Sequence, residues 1–353
     1  MAITSIIFRI QSPFAAGDRS TAMTTIVLFG GRSDERHVSV ASAQNVARTL
    51  GGPLCWFWAP QGAVHDVAVD DLLAHPRPFE IDFHPRRPAL WPTLEQALDT
   101  LPVDDPVFFI ALHGGEGEDG TVQKMMEDRR IRFTGSGSAA SAAAFDKERA
   151  KEIVRDRVRL PESVTIHTES ELDAIDAMLE RFDKIVLKPL AGGSSRGLYF
   201  LERGQRLDSD LALPYIVEQY IAGRELTVAV ADIGSGPLVL PPLEIVLDPG
   251  HSFDYFGKYL GKGTREICPA NVSEPMREEA QRVALTAHVA LGCEGYSRTD
   301  VIAADESHVY FLELNTLPGL TTASLVPQQL RAGGIDFRFF LEKQVELARH
   351  TRK

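Results

Sequence analysis

The stretch Glu313-Leu314-Asn315-Thr316-Leu317-Pro318-Gly319-Leu320-Thr321-Thr322 follows Val309-Tyr310-Phe311-Leu312, an apolar run that reads as a strand. Side chains two apart on a strand point to the same face, so Glu313 and Asn315 share one. Asp300 lies in a second strand-like segment, Arg298 to Ile302, and can approach from a neighbouring strand. Three hard oxygen donors meeting on one sheet face suit Mg²⁺, which prefers oxygen ligands and often completes its shell with substrate phosphates. The same residues also fit a solvated strand edge followed by a tight turn, and this stretch alone leaves both readings open.

Working outward, Thr25-Ile26-Val27-Leu28-Phe29 is a buried-strand run, followed by Gly30-Gly31 and a helical pattern from about Ser39 to Leu50. Val107 to Leu112 is a second apolar strand, ending at His113-Gly114-Gly115. In an open parallel sheet, ligands collect at the carboxyl ends of strands. Residues 60–106 are Pro-rich and read as irregular. Beyond Gly135 the pattern changes. Ala139 to Ala144 and Lys147 to Arg159 read as helix. Lys184 to Pro189 and Gly197 to Leu201 form two strands around a Gly/Ser loop, and Tyr215 to Tyr220 is another strand. Glu225 to Val230 and Leu238 to Leu247 read as antiparallel strands, Glu274 to Leu291 as an amphipathic helix and Phe337 to Arg349 as a terminal helix. The fold class is α/β first, then α+β, with a parallel sheet in the N-terminal part.

The 353 residues suffice for two or three modest domains. A net charge of −12 argues against a broad nucleic-acid or acidic-membrane surface, so an anionic substrate must be held by local Lys and Arg. Cys55, Cys268 and Cys293 have no metal spacing and are odd in number, which reads as free thiols in a reducing compartment. No apolar run approaches the ~18 residues of a membrane helix. Residues 1–22 make a poor signal peptide, because Arg9 interrupts the apolar run and no basic segment precedes it. They read as a disordered extension or an over-called start.

Several motifs are ambiguous one at a time. Ala191 to Gly197 directly follows Lys188, and backbone N–H groups of a Gly-rich turn with serine hydroxyls can cradle phosphates, or the segment is a hairpin turn. Glu218 and Glu225, seven residues apart, can accept hydrogen bonds from a ribose or an adenine amino group, or sit as surface carboxylates. His113 to Gly120 is a substrate loop or a solvated acidic turn, with His113 alternatively a core histidine. Lys258-Tyr259 lies in a long, polar, Gly-rich stretch that reads as a lid or as a surface loop.

Taken in order, nine stretches resemble D-alanine–D-alanine ligases of the ATP-grasp superfamily: GGRSDERHVS, ALHGGEGEDGTVQ, FTGSG, FDKERAK, LKPLAGGSSRG, VEQYIAGRELTV, FGKYLGKGTREICPA, GYSRTDV and LELNTLPGLTTASLVP. They run from about Thr25 to the terminal helix. The resemblance implies a three-domain ATP-grasp architecture: after residues 1–22, an N-terminal α/β substrate domain over 23–135, a central lid domain over 136–221 and a C-terminal catalytic domain over 222–353. It implies a cytoplasmic homodimer that joins two D-alanines for peptidoglycan through an acyl phosphate. The cofactors implied are ATP and two Mg²⁺ ions, with Mn²⁺ as a substitute; no nucleic acid and no membrane is involved.

Residue roles follow from the same resemblance. Lys147 and Lys188 occupy the phosphate-lysine positions, with Ser194 and Ser195 capping the phosphates. Glu218 and Glu225 hold the nucleoside end, helped by Gln219 and Ile221. Asp300, Glu313 and Asn315 bind the metal ions. Arg298 and the Gly319 N–H match the oxyanion partners. Glu35 matches the acid for the first ammonium, His113 a histidine of the substrate pocket, and Ser324 with the Leu325 backbone the site of the second carboxylate. Tyr259 closes the lid towards Glu35 and Ser194, and Lys258 reaches the γ-phosphate. The Lys258-Tyr259 pair favours an amine nucleophile over D-lactate. Phosphoryl transfer depends on positioning and charge neutralisation, and amide formation on preorganised donors for an oxyanion, which these residue types supply. Departures from the pattern are Arg196 in the Gly/Ser loop, Phe145 in place of a more usual Met, and a longer segment between Gly31 and His113. The rival readings are a ligase with another acceptor, such as D-serine, and a non-catalytic nucleotide-binding homologue. Intact Asp300, Glu313, Asn315, Arg298 and Lys188 argue against the latter.

Overall fold

The computed structural model describes residues 24–192, 197–207, 211–247 and 264–350. The first sheet comprises β1 (Thr25–Gly30), β2 (Leu54–Trp58), β3 (Val64–Val67), β4 (Val107–Ile110) and β5 (Arg132–Phe133), in the order β3-β2-β1-β4-β5. β1 pairs in parallel with β2 and β4, and β4 with β5, while β3 is an antiparallel edge. The strands Ile26–Phe29 and Val107–Ile110 are buried on both faces, as a helix-covered parallel sheet requires. Residues 60–106 are more regular than their composition predicts. They hold β3 and the helices Val69–Leu73 and Leu94–Asp99. β3, Val-His-Asp-Val, has only four residues and puts its two polar residues side by side, so it shows no alternation to read.

The second sheet is antiparallel and small: β6 (Ser163–Ile166), β7 (Lys184–Pro189), β8 (Tyr199–Glu202) and β9 (Tyr215–Gln219), in the order β6-β9-β7-β8. One face packs Ile185, Leu187 and Val217 against helix Asp173–Arg181. The other face carries Val186, Lys188 and Glu218, with Val186 and Glu218 directly opposite each other.

The third sheet runs β13-β12-β10-β14-β15, with β11 on the side of β10: β10 (Arg224–Asp232), β11 (Pro237–Val239), β12 (Leu243–Leu247), β13 (Thr264–Ile267), β14 (Tyr296–Ala303) and β15 (Val309–Asn315). The run read as one strand from Leu238 to Leu247 is two, because Pro241-Pro242 has no N–H to donate to a ladder. The helix expected over Lys147–Arg159 ends at Val154. Helix Glu274–Ala290 covers one face of this sheet, together with Ala143, Ala150 and Val154 from helices Ser138–Phe145 and Lys147–Val154. The terminal helix, Phe337–His350, instead packs Phe340, Leu341 and Val345 into the core of the first sheet. Among the described residues no helix is long and apolar enough to cross a membrane.

Candidate active site

A cavity of about 810 Å³ lies where the three sheets meet. Its third-sheet wall is the face of β14 and β15 that carries Arg298, Asp300, Glu313 and Asn315. Asp300 lies opposite Glu313 and Arg298 opposite Asn315. The ladder shifts register after Asp300, so that Val301 pairs Phe311 and Leu312 is the extra residue. Val309, Phe311 and Leu314 enter the core, while Leu312 and Glu313 both reach the cavity. Without that bulge, strict alternation would bury Glu313 alongside Phe311.

Asp300 is held on several sides. Arg298 donates from Nε to Oδ1 at 2.9 Å and from Nη2 to Oδ2 at 2.7 Å, and the Thr227 hydroxyl donates to Oδ1 at 2.6 Å. Asn315 Oδ1 accepts from the Leu317 N–H at 2.7 Å. Glu313 Oε2 stands 3.6 Å from Lys147 Nζ, which also donates to the Gly192 carbonyl at 2.8 Å. Lys147 opens a helix capped by Asp146, whose side chain accepts from the Arg149 N–H. Among the described residues no three His, Cys, Asp or Glu close into a metal cage. Two carboxylates and an amide oxygen on one sheet face nevertheless make a hard-oxygen set. It fits Mg²⁺ drawing its other ligands from phosphate and water.

The second-sheet wall holds Lys188 and Glu218. Lys188 Nζ is 2.7 Å from Glu218 Oε2, and Lys151, from helix Lys147–Val154, is bonded to Oε1. Burial pulls Lys188 down to about 8, partly opposed by Glu313. Burial also lowers Lys151 well below the ordinary lysine value, and the adjacent Lys188 adds to the shift. Gln219, Ile221 and Glu225 line the same end. The Gln219 N–H is already engaged by the Glu162 carbonyl.

Loops after β1 and β4 supply the opposite end. Ser39 links the two strand ends, accepting from the Gly30 N–H and donating to the Ala111 carbonyl. Glu35 stands just before helix Arg36–Leu50. Gly114, at φ +66°, permits the close approach of the two loops: a Cβ there would lie 2.4 Å from Ser33 Oγ and 2.7 Å from Glu35 Oε2. His113 Nδ1 is 2.8 Å from Glu118 Oε1, which also accepts from the Gly114 N–H at 3.0 Å. Burial pushes Glu118 up, but His113 and the Gly114 N–H outweigh it and hold the carboxyl below its usual range. His113 and Ser324 converge on Gly319, where a Cβ would meet Ser324 Oγ at 2.8 Å and His113 Nε2 at 3.0 Å. Ser324 precedes helix Leu325–Ala332, so the Leu325 N–H belongs to a helix N-terminus, where carboxylates are favoured.

The structure therefore gathers Glu35, His113, Lys147, Lys188, Glu218, Gln219, Ile221, Glu225, Arg298, Asp300, Glu313, Asn315, Gly319, Ser324 and Leu325 around one region. Ser194, Ser195, Arg196, Lys258, Tyr259 and residues 1–22 lie outside the described residues. Sequence reading missed Glu118, Lys151 and Thr227. For Lys151 the signal was its position one helical turn after Lys147, on the same helix face.

Comparison with known proteins identifies the family. Residues 24–136 match the family model for the D-ala D-ala ligase N-terminus, and residues 165–346 the model for its C-terminus. A D-alanine–D-alanine ligase from Desulfotalea psychrophila is 35% identical, over 95% of this chain and 98% of that protein. One from Leptospira interrogans is 32% identical, over 91% of this chain and 97% of that protein. Among solved structures, the VanG D-Ala:D-Ser ligase from Enterococcus faecalis superimposes with a TM-score of 0.76 at 29% identity, covering 92% of this chain and 99% of that one. The D-alanine–D-alanine ligase from Bacillus anthracis in complex with ATP gives 0.67 at 26% identity, covering 94% and 99%.

Proposed function

The chain belongs to the D-alanine–D-alanine ligase family, and from that premise we propose how its residues carry the family's reaction. The protein is an ATP-dependent ligase that joins two D-alanines into the dipeptide used in peptidoglycan synthesis. The carrying observation is one cavity with Lys147, Lys188, Glu218 and Glu225 at one end, Glu35 and Gly114 at the other, and Asp300 and Glu313 on the wall between. Arg298 is bonded to Asp300, and His113, next in the chain to Gly114, is in close approach to Gly319, as is Ser324.

In the first step the carboxylate of one D-alanine attacks the γ-phosphorus and the bond to ADP breaks, giving an acyl phosphate. The amine of the second D-alanine then attacks the acyl carbon, loses a proton, and phosphate leaves. Glu35 holds the first ammonium. Lys147 and Lys188 neutralise phosphate charge, and Asp300, Glu313 and Asn315 would hold Mg²⁺ ions, which supply further neutralisation when bound. Arg298 and the Gly319 N–H receive the oxyanion, and His113, Ser324 and the Leu325 N–H seat the second substrate. Arg298 enters this role already fixed, because Asp300 grips it through two hydrogen bonds. Ser194, Ser195, Lys258 and Tyr259 complete our reading, on the strength of the motif resemblance alone. The resemblance likewise supports a cytoplasmic homodimer and domains over 23–135, 136–221 and 222–353. One sheet falling within each interval supports the partition.

A second reading, D-serine as acceptor, draws on the D-Ala:D-Ser ligase among the structural neighbours. Phosphate release from Mg-ATP, measured with D-alanine, L-alanine, D-serine, D-lactate or no amino acid and with product masses checked, separates the two. Release that requires D-alanine and yields D-alanyl-D-alanine supports the main reading. Release only with D-alanine and D-serine together supports the second, and no release in any mixture overturns both.

A further inference from the structure

We propose that Lys151 is a positioning residue of the nucleotide site. It pins one oxygen of Glu218 from behind, so that the other becomes a seat occupied in turn by the Lys188 ammonium and by the amino group of the incoming base. The inference rests on the reading of Glu218 as the base-recognition residue.

The observation is an asymmetry around one buried carboxylate. The Glu218 side chain is 2% exposed, and each of its oxygens meets a different lysine: Lys151 at Oε1, Lys188 at Oε2. Lys188 and Glu218 line the cavity, whereas Lys151 does not. The two lysines also come from different structures. Lys188 lies on β7, in the same sheet as Glu218. Lys151 lies on a helix whose Ala150 and Val154 are packed into the core of the third sheet. A ligand entering the cavity therefore meets Lys188 and Oε2, and cannot displace Lys151.

The chemistry follows from donor and acceptor counts. An ionised carboxylate only accepts hydrogen bonds, so it welcomes a purine 6-amino group and repels a 6-oxo group. Its ionised form must persist when Lys188 moves to the phosphates, although a neutral amino group brings no charge in exchange. A fixed donor on Oε1 favours the ionised form and holds the rotamer. Without it, a buried carboxylate relieved of Lys188 would take up a proton, and a protonated carboxyl also donates, so the 6-oxo group would become acceptable. The same exchange links the two ends of the nucleotide: arrival of the base frees the phosphate lysine.

The test is steady-state kinetics of the full-length enzyme with ATP and with inosine triphosphate, which carries an oxo group at the 6-position, at saturating D-alanine and Mg²⁺. In Lys151→Met the KM for ATP is expected to rise about tenfold with kcat within about threefold, and the preference for ATP over inosine triphosphate to fall about tenfold. Lys151→Arg, which keeps a donor for Oε1, should retain the wild-type preference. Should Lys151→Met prove insoluble, Lys151→Gln is read the same way for ATP preference. A purely structural role would lower the melting temperature and slow both nucleotides equally, leaving the ratio unchanged. Glu218→Gln calibrates the reading beneath: its side chain both donates and accepts, so the preference should collapse. Collapse in Glu218→Gln with an unchanged ratio in the Lys151 variant overturns the role of Lys151 alone. An unchanged ratio in Glu218→Gln overturns the base-recognition reading, and this inference with it.

Discussion

Gly319 has no room for a side chain, because Ser324 Oγ and His113 Nε2 occupy the space one would need. In Gly319→Ala the methyl group must push both aside, so kcat/KM for D-alanine should fall at least about tenfold while KM for ATP stays near wild type. Steady-state kinetics with each substrate varied in turn would show it. A matching loss at the ATP end would mean a broader collapse. Arg298→Ala tests the other side of the reaction. With the oxyanion donor removed, kcat should drop roughly 10²- to 10³-fold, while ATP binding, followed by calorimetry, persists. Retained turnover would remove Arg298 from the chemistry. The sequence exposed these residues by type and order, and their neighbours were hidden. Glu118 sits in a run of acids and glycines whose members look alike, and only the folded loop shows which carboxylate turns back to His113.

β10 shows how an element far from the reacting atoms sets their positions. Its edge is shared, β12 pairing with Glu225 to Thr227 and β11 with Val230 to Asp232. In the gap between them the Ala229 N–H donates instead to the buried Gln329 side chain at 2.7 Å, tying helix Leu325–Ala332 to the sheet. Gln329→Leu leaves that donor unsatisfied and should cost about 1–3 kcal/mol, measurable by urea denaturation. A neutral result would mean the strand finds another acceptor. Helix Glu274–Ala290 carries a pH dependence. His288 is buried against the Ser297 hydroxyl, and burial holds it down at about 4. The unfolded chain therefore takes up this proton first on acidification, near the ordinary histidine value, and the folded protein only near 4. Stability is expected to be full above about pH 6.5 and to fall by about 3 kcal/mol on approach to pH 4. His288→Asn should flatten that part of the profile, and an unaltered acid limb would place its origin elsewhere. Neither device was readable in the chain, since a buried glutamine and a buried histidine look like surface residues until their neighbours are known.

Taken whole, residues of all three sheets wall the large cavity, and its substrate end is stitched across them. Asn45 donates to the Leu320 carbonyl, and the Leu320 N–H donates to Ser42, so the first helix of the N-terminal part holds the loop after β15. A ligand that touches several sheets should stabilise all of them. Mg-ATP at a hundredfold its dissociation constant is expected to add about 2.7 kcal/mol to unfolding. Chelation with EDTA should remove both most of that gain and the phosphate release, and excess Mg²⁺ should restore them. If ATP stabilised the protein equally without metal, Asp300, Glu313 and Asn315 would not be a metal site.

The chain by itself determined the strands and helices that carry a long apolar pattern, because apolar periodicity is local, while the short elements of residues 60–106 were not legible. It also determined the chemical inventory, because nine motifs in order single out their residue types. What only the tertiary structure decided is which groups touch. The bulge at Leu312 that turns Glu313 outward, the grip of Asp300 on Arg298, the two lysines on Glu218 and the approach of Gly319 to His113 depend on register and packing. A one-residue slip in a ladder reverses every side chain, and residues far apart along the chain meet only when several sheets are in place at once.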